Sequence, residues 1–241
     1  MHAAQSVRLH VAFSPQRLGH GTTVEITTEI LAPPGLVPSP LTGLDIRYPS
    51  ELGVAVGGLG LSTCSQPTLE RLGPEGCPAS SRMGQGSALA EIAVGPDILA
   101  EEADVVILRA PEQEGHLALL FYLDGGEPVR AEIIFPGLLL SGPGPTEESI
   151  DINVPLVPSL PGSPFVAVVR LHATLGPRGL IYYERRHGKF VPYRPAGVLL
   201  PNKCPHGGFR FAATFAFLDG SSSGAQAVVP CRSQPRSKRR R

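Results

Sequence analysis

The sequence has no tryptophan, and its lysines are Lys189, Lys203 and Lys238. Charged residues make up 17% of its 241 positions, against about a quarter in an average soluble domain. Disordered chains combine strong charge with few apolar residues, so the 42% hydrophobic content points to a real core. No apolar run reaches the roughly 18 residues that would mark a membrane-spanning helix. Helical patterning is confined to residues 62–84. There Ser65 can cap, Pro67 suits a first turn and Gly73 can end the helix. No Walker sequence, HExxH or CxxC spacing occurs, so P-loop nucleotide chemistry, zincin catalysis and thiol redox motifs have no anchor. Gly58-Leu59-Gly60 and Gly142-Pro143-Gly144 lack the third glycine and following helix of a dinucleotide loop.

What the chain has in excess is glycine and proline, 28 and 26 residues. Both interrupt helices and punctuate turns, which favours many short strands. Alternation with a period of two is plain in several places. Val7, Leu9, Val11 and Phe13 alternate with Arg8, His10 and Ala12. Thr22 to Ile30 forms a β-branched strand, and Leu44, Ile46 and Tyr48 a third. A strand is expected near Ala88–Val94. Residues 96–104 read as an acidic loop before a short strand at Val105–Leu108.

Leu117 to Leu123 and Val129 to Phe135 form a hairpin that turns at Asp124-Gly125-Gly126, followed by a Pro/Gly loop at 136–145. Ile150, Ile152 and Val154 make the next strand, and Pro155 to Pro164 a linker or crossover. Residues 165–171 have little polar face, which suits a central strand. A further hairpin spans 179–194 and turns at His187-Gly188. In the last, Phe209, Phe211, Ala213, Phe215 and Phe217 alternate with Arg210, Ala212, Thr214 and Ala216, and the return strand ends at Cys231. The expected fold is all-β, an antiparallel β-sandwich with one short helix, over residues 5–231. A subdivision near 155–164 is the alternative.

The formal net charge is zero, but residues 232–241 hold six basic residues and no acid. Without them the body carries 15 basic and 21 acidic residues. A mildly acidic body argues against sequence-specific nucleic-acid binding. The basic end reads as a disordered tail.

Cys64, Cys77, Cys204 and Cys231 allow three pairings, and proximity favours Cys64–Cys77 and Cys204–Cys231. Disulfides imply an oxidising compartment. The first residues carry no basic, apolar and cleavable leader. The expectation is therefore that an export signal lies upstream of residue 1, the alternative being a cytoplasmic protein with reduced cysteines.

Gly220-Ser221-Ser222-Ser223-Gly224 matches GxSxG, but the nucleophile elbow needs a strand–turn–helix. Here the motif falls in a hairpin turn. The histidines are scattered, with no pair at ligand spacing on one element. Asp124 and Asp219 suit turns, and Glu101, Glu102 and Asp104 lack EF-hand spacing. One candidate binding surface stands out, made of Tyr182, Tyr183, Arg185, Arg186, His187, Tyr193 and Arg194. Aromatics beside arginines can stack on sugars or hold an anionic polymer.

Cys77-Pro78-Ala79-Ser80-Ser81-Arg82-Met83-Gly84 gives the pattern Cys-Pro-x-x-Ser-x-x-Gly. With the proline-rich stretch and strand of Pro155–Leu171 and the cysteine block Cys204–Cys231, it resembles a group of uncharacterised secreted or cell-envelope β proteins of actinobacteria. The likeness covers most of residues 41–231. It implies export and a β fold, and carries over no catalytic residue. The expected function is a non-enzymatic secreted or cell-envelope structural or binding protein. An envelope-polymer hydrolase with a composed site and an apolar-ligand carrier are the alternatives. No cofactor or metal is expected, and the partner is left unassigned, with an envelope polysaccharide or another surface protein as the candidates.

Two local disulfides predict that denatured, unreduced protein shows no thiol to a colorimetric reagent and four after reduction. Four thiols before reduction would sink the pairing.

Overall fold

The computed structural model describes residues 5–54, 58–126, 130–141, 147–159 and 164–231, with the backbone alone at residue 147. Val129, the Gly142-Pro143-Gly144 motif and the basic tail lie outside the described residues. The strands are β1 (Ser6–Ser14), β2 (Gly21–Leu31), β3 (Leu41–Pro49), β4 (Arg82–Val94), β5 (Asp97–Arg109), β6 (Ala118–Gly125) and β7 (Glu132–Ser141). They continue as β8 (Glu147–Asn153), β9 (Ala167–Leu175), β10 (Tyr182–Arg186), β11 (Lys189–Tyr193), β12 (Val198–Leu199), β13 (Phe209–Phe217) and β14 (Ser222–Val229). One α-helix, α1 (Gln66–Leu72), stands among the described residues.

The all-β class, the antiparallel pairing and the single short helix are as the sequence predicts. The arrangement is more specific than two stacked sheets. Twelve strands form one sheet in the order β1-β2-β9-β4-β5-β6-β7-β8-β3-β13-β14, with β12 beside β2. Each strand is rotated against its neighbour by about 20–25°. Over so long a path that rotation curls the sheet until its two ends meet, giving a nearly closed barrel. At the meeting line Ser223 Oγ donates to the Gln5 carbonyl at 2.9 Å, and Gln16 Nε2 donates to the Pro230 carbonyl at 2.6 Å. Early residues of β1 thus face early residues of β14, and late face late, so the two run in the same direction. Inside this seam Phe13 of β1 packs edge-on against Phe209 of β13, with centroids 5.0 Å apart.

The two barrel ends differ. At one, chain segments enter the bore. Leu52, Val54 and Leu59 before the helix are buried there with Leu180, Tyr182, Val198 and Leu200 from the 177–201 stretch. The two segments are tied by Gly53 N–H to the Leu199 carbonyl at 2.9 Å and Leu199 N–H to the Gly53 carbonyl at 3.1 Å. At the other end Ile30, Leu41, Leu44, Ile152, Phe215 and Phe217 form a second cluster. A third lies outside the barrel, where Cys64, Leu69 and Cys77 cover Leu108, Leu120 and Tyr122 of β5 and β6. Its helix is capped as the sequence predicts. Ser65 Oγ accepts from Thr68 N–H at 3.3 Å, and the Gly73 N–H closes on the Leu69 carbonyl at 2.9 Å.

Three local expectations need correction. Residues 96–104 are not a loop but most of β5, paired with β4 from Val94↔Asp97 onward. Their acids obey the alternation, with Glu102 and Asp104 exposed and Glu101 and Val105 buried. Asp124 and Gly125 belong to strand β6, opposite Glu132 and Ala103, so the chain turns later than Asp-Gly-Gly suggests. Pro136 to Ser141 continue β7. Pro136 pairs with Leu120 of β6, while the ladder to β8 begins only at Gly137, so the missing amide lies at that ladder's margin. Segment 155–164 leads from β8 to β9, two strands of one sheet. Gly84 and Gly86 let β4 lie close on β9, since a Cβ on either would sit 2.0 Å from the carbonyl oxygen of Thr174 or His172.

Phe215 is fully buried in the second cluster. Phe215→Ala is expected to lower unfolding free energy by about 3–5 kcal/mol, read from urea denaturation. A loss below about 1 kcal/mol would place this ring outside the core.

Candidate binding cavity

The end of the barrel opposite the plug holds a cavity of about 110 Å³. It is walled by inward positions of β3 to β9. Phe121, Leu123, Ile133 and Phe135 line one side, and Leu41, Leu44, Ile152, Val154 and Val157 another. Val166, Val168 and Leu171 complete the ring with Ala88, Ala90, Ala103, Ala131 and Ala173. The space exists because those inward positions carry alanine. Ala88 faces Ala103 and Ala90 faces Glu101 across the β4–β5 ladder, so little side chain projects from that wall. Phe121 and Phe135 stack opposite it with centroids 5.4 Å apart.

Glu101 is the one lining residue with a charged or hydrogen-bonding side chain, and it is 7% exposed. Apart from Glu101 the lining side chains offer no partner to water, which needs two to four. Engineered apolar cavities of about 150 Å³ stay dry and take up small apolar molecules. The strand register puts six exposed apolar residues at this same end. They are Leu31 at the end of β2, Leu36 between β2 and β3, Ile98 and Leu99 at the β4–β5 tip, Phe165 before β9 and Leu218 after β13.

None of the surface residues that the sequence singles out lines this cavity. They belong instead to the β10–β11 ribbon, a two-stranded sheet separate from the barrel. Tyr183, Arg185, Arg186, His187 and Arg194 are exposed. Tyr182 is fully buried and Tyr193 half-buried, so these two are the ribbon's root and not its surface. Tyr182 Oη accepts from Gly60 N–H at 3.1 Å and donates to the Arg82 carbonyl. Its ring meets Tyr193 edge-on at 5.9 Å. His187 and Gly188 both have positive φ, 47° and 78°, the backbone of a tight two-residue hairpin turn.

The cysteines form the two local disulfides, Cys64–Cys77 and Cys204–Cys231, with Cα separations of 5.4 and 6.1 Å. One clamps α1 to the outer wall, and the other ties the base of the β13–β14 hairpin. In the Gly220–Gly224 turn, Asp219 Oδ1 accepts from the N–H and hydroxyl of Ser221 at 2.9 and 2.6 Å. Ser222 opens β14 and makes no hydrogen bond to a histidine among the described residues. His172 lies on β9 bonded to Thr27 Oγ1 at 3.0 Å, and His20 Nδ1 sits 2.9 Å from the Leu18 carbonyl. Among the described residues no three His, Cys, Asp or Glu side chains are placed to hold a metal ion. Asp104, Asp124 and Glu132 stand directly opposite one another across β5, β6 and β7, a repulsive row.

Sequence reasoning admitted an apolar-ligand carrier as an alternative but named as its site none of the residues that line this cavity. Its signal was present as alanines at inward positions of otherwise bulky strands, but which alanines face each other depends on pairing across distant strands. No family model, curated protein or solved structure matches the chain. Among the described residues no helix is long and apolar enough to cross a membrane.

Three tyrosines are held protonated beyond the ordinary phenol range. Burial, then the carboxylate of Glu148, raises Tyr48. Burial, then Glu132 and Asp124, pushes Tyr122 up to about 12. Burial also raises Tyr182, against the bond from Gly60. A raised acid pKa keeps its proton bound in the folded state, so its stabilising contribution is whole below the unfolded value near 10 and fades as pH climbs above it. Ultraviolet titration is expected to show three of the five tyrosines ionising late or only on unfolding. Complete ionisation around pH 10 in the folded protein would contradict their burial.

Proposed function

We propose that this chain is a non-enzymatic binding protein of the cell exterior or envelope, and that it carries an apolar molecule, or one apolar chain of a larger molecule, in the end of its barrel. The observation that carries this reading is the cavity bounded by Phe121, Phe135 and the Ala88–Ala103 wall. A sheet filled by its own side chains would favour a purely structural role, and this one is left hollow at one end. Burial of apolar surface contributes about 25 cal/mol per Å², so a snugly seated apolar group gains affinity without any directed bond. The cavity's width suits a slim aliphatic or single-ring group.

The two disulfides support an oxidising compartment. Secretion or envelope attachment is the setting in which such a protein meets both that chemistry and apolar cargo. The resemblance to envelope β proteins of actinobacteria agrees with it. A composed hydrolytic site has less support, since no Ser–His hydrogen bond occurs among the described residues.

Isothermal titration calorimetry with toluene, a single-ring probe of a size such cavities take up, tests the reading. The unaltered protein is expected to bind it with a saturable heat. The A90L/A103L variant, which places two leucines in the cavity, is expected to bind about tenfold or more weakly while its melting temperature holds or rises, as cavity filling does. Absence of binding by the unaltered protein, or equal binding by the filled variant, would overturn it.

A further inference from the structure

We propose that the β10–β11 ribbon is a second, separate interaction surface, and that its partner is an anionic lipid surface. Among the described residues the two strands of the ribbon pair only with each other. Register puts Tyr183 opposite Pro192 and Arg185 opposite Phe190, and alternation adds Ile181 to that face. Phe190 is 74% exposed, Tyr183 57% and Ile181 52%. A continuous apolar row on a projecting, doubly unpaired ribbon is what soluble proteins normally avoid. The row is also held firmly. On the opposite face, Tyr182 is buried and bonded to Gly60 and Arg82, and it packs on Tyr193.

Charge identifies the partner. Residues 181–194 contain Arg185, Arg186, Lys189 and Arg194 against the single acid Glu184. Glu184 is occupied by Arg186 at 2.7 Å, and the other three cations have no carboxylate partner among the described residues. The rest of the body is acidic in balance, so this is a local basic patch on an acidic molecule. Cations flanking exposed Phe, Tyr and Ile match the boundary of a bilayer, where an apolar layer lies directly beneath negative head groups. A sugar chain would use the flat rings and cations but would leave Ile181 and Pro192 in water. The lipid surface accounts for every residue of the row. This inference rests on the ribbon alone and stands whether or not the cavity holds a ligand.

The test is co-sedimentation of the full chain with vesicles of phosphatidylcholine, with and without about one third phosphatidylglycerol. Binding is expected to the anionic vesicles, falling as salt rises. The F190S/Y183S variant keeps every charge, the basic C-terminal end included. It is expected to bind those vesicles about tenfold less, with an unchanged melting curve because both side chains are exposed. The R185E/K189E variant is expected to lose binding comparably. Unchanged vesicle affinity in F190S/Y183S would show that the C-terminal charges alone do the binding and overturn the proposal. Affinity for polygalacturonate without affinity for anionic vesicles would also overturn it, and would assign the ribbon to an acidic polysaccharide.

Discussion

A sheet of this length cannot fill the space it encloses. Eight strands close around a bore that their own side chains just occupy, and larger closed sheets need a helix, inserted loops or a ligand. Eleven strands in sequence around the barrel path exceed that limit. The rest of the interior answers this surplus. At one end the chain supplies its own filling, where Leu52, Val54 and Leu59 of an irregular stretch are buried. That explains why a glycine-rich segment carries leucines and why Tyr182, on a ribbon outside the sheet, sends its ring inward. At the other end no chain enters among the described residues, and alanines on β4 and β5 leave the space open.

The same constraint sorts the exterior. Cys64–Cys77 and α1 cover an apolar patch on β5 and β6, where alternation would otherwise put Leu108 and Leu120 in water. A side of the sheet that looks outward is thus given a small core of its own. The disulfide closes a short loop over it, and such a loop stabilises mainly by restricting the unfolded chain. The acidic row of Asp104, Asp124 and Glu132 lies on β5, β6 and β7, nearer the cavity end. Its mutual repulsion is tolerated because the ladder beneath is anchored on both sides.

Much of this was legible in the residues. Strand β13 could be read almost atom by atom from its phenylalanines, and the helix caps at Ser65 and Gly73 were readable from local chemistry. These are features that neighbours in sequence decide. The extension of β5 through Glu101 and Glu102 was hidden because acidity suggests a loop, whereas a strand with one wet face accommodates acids at every second position. The course of β7 through Pro136 was hidden because proline's cost depends on which neighbour begins where. The inward turn of Tyr182 and Tyr193 was hidden because a pair of tyrosines on one face looks alike whether it turns to solvent or to the core. The place and lining of the cavity and the closure of the sheet were not legible, although an apolar-ligand carrier stood among the alternatives. They follow from pairing β2 with β9 and β3 with β13, contacts between segments far apart in the chain.

The line where β1 meets β14 has its own consequence. Every other neighbouring pair along the path is joined by an antiparallel backbone ladder, while this seam runs parallel and is crossed by the side chains of Gln5, Gln16 and Ser223. Each such bond contributes about 1 kcal/mol, so here side-chain bonds and the Phe13–Phe209 contact beneath them do the work that a backbone ladder does elsewhere in the wall. Closure of the cylinder is thus decided by which side chains stand at its first and last strands, and not by strand pairing.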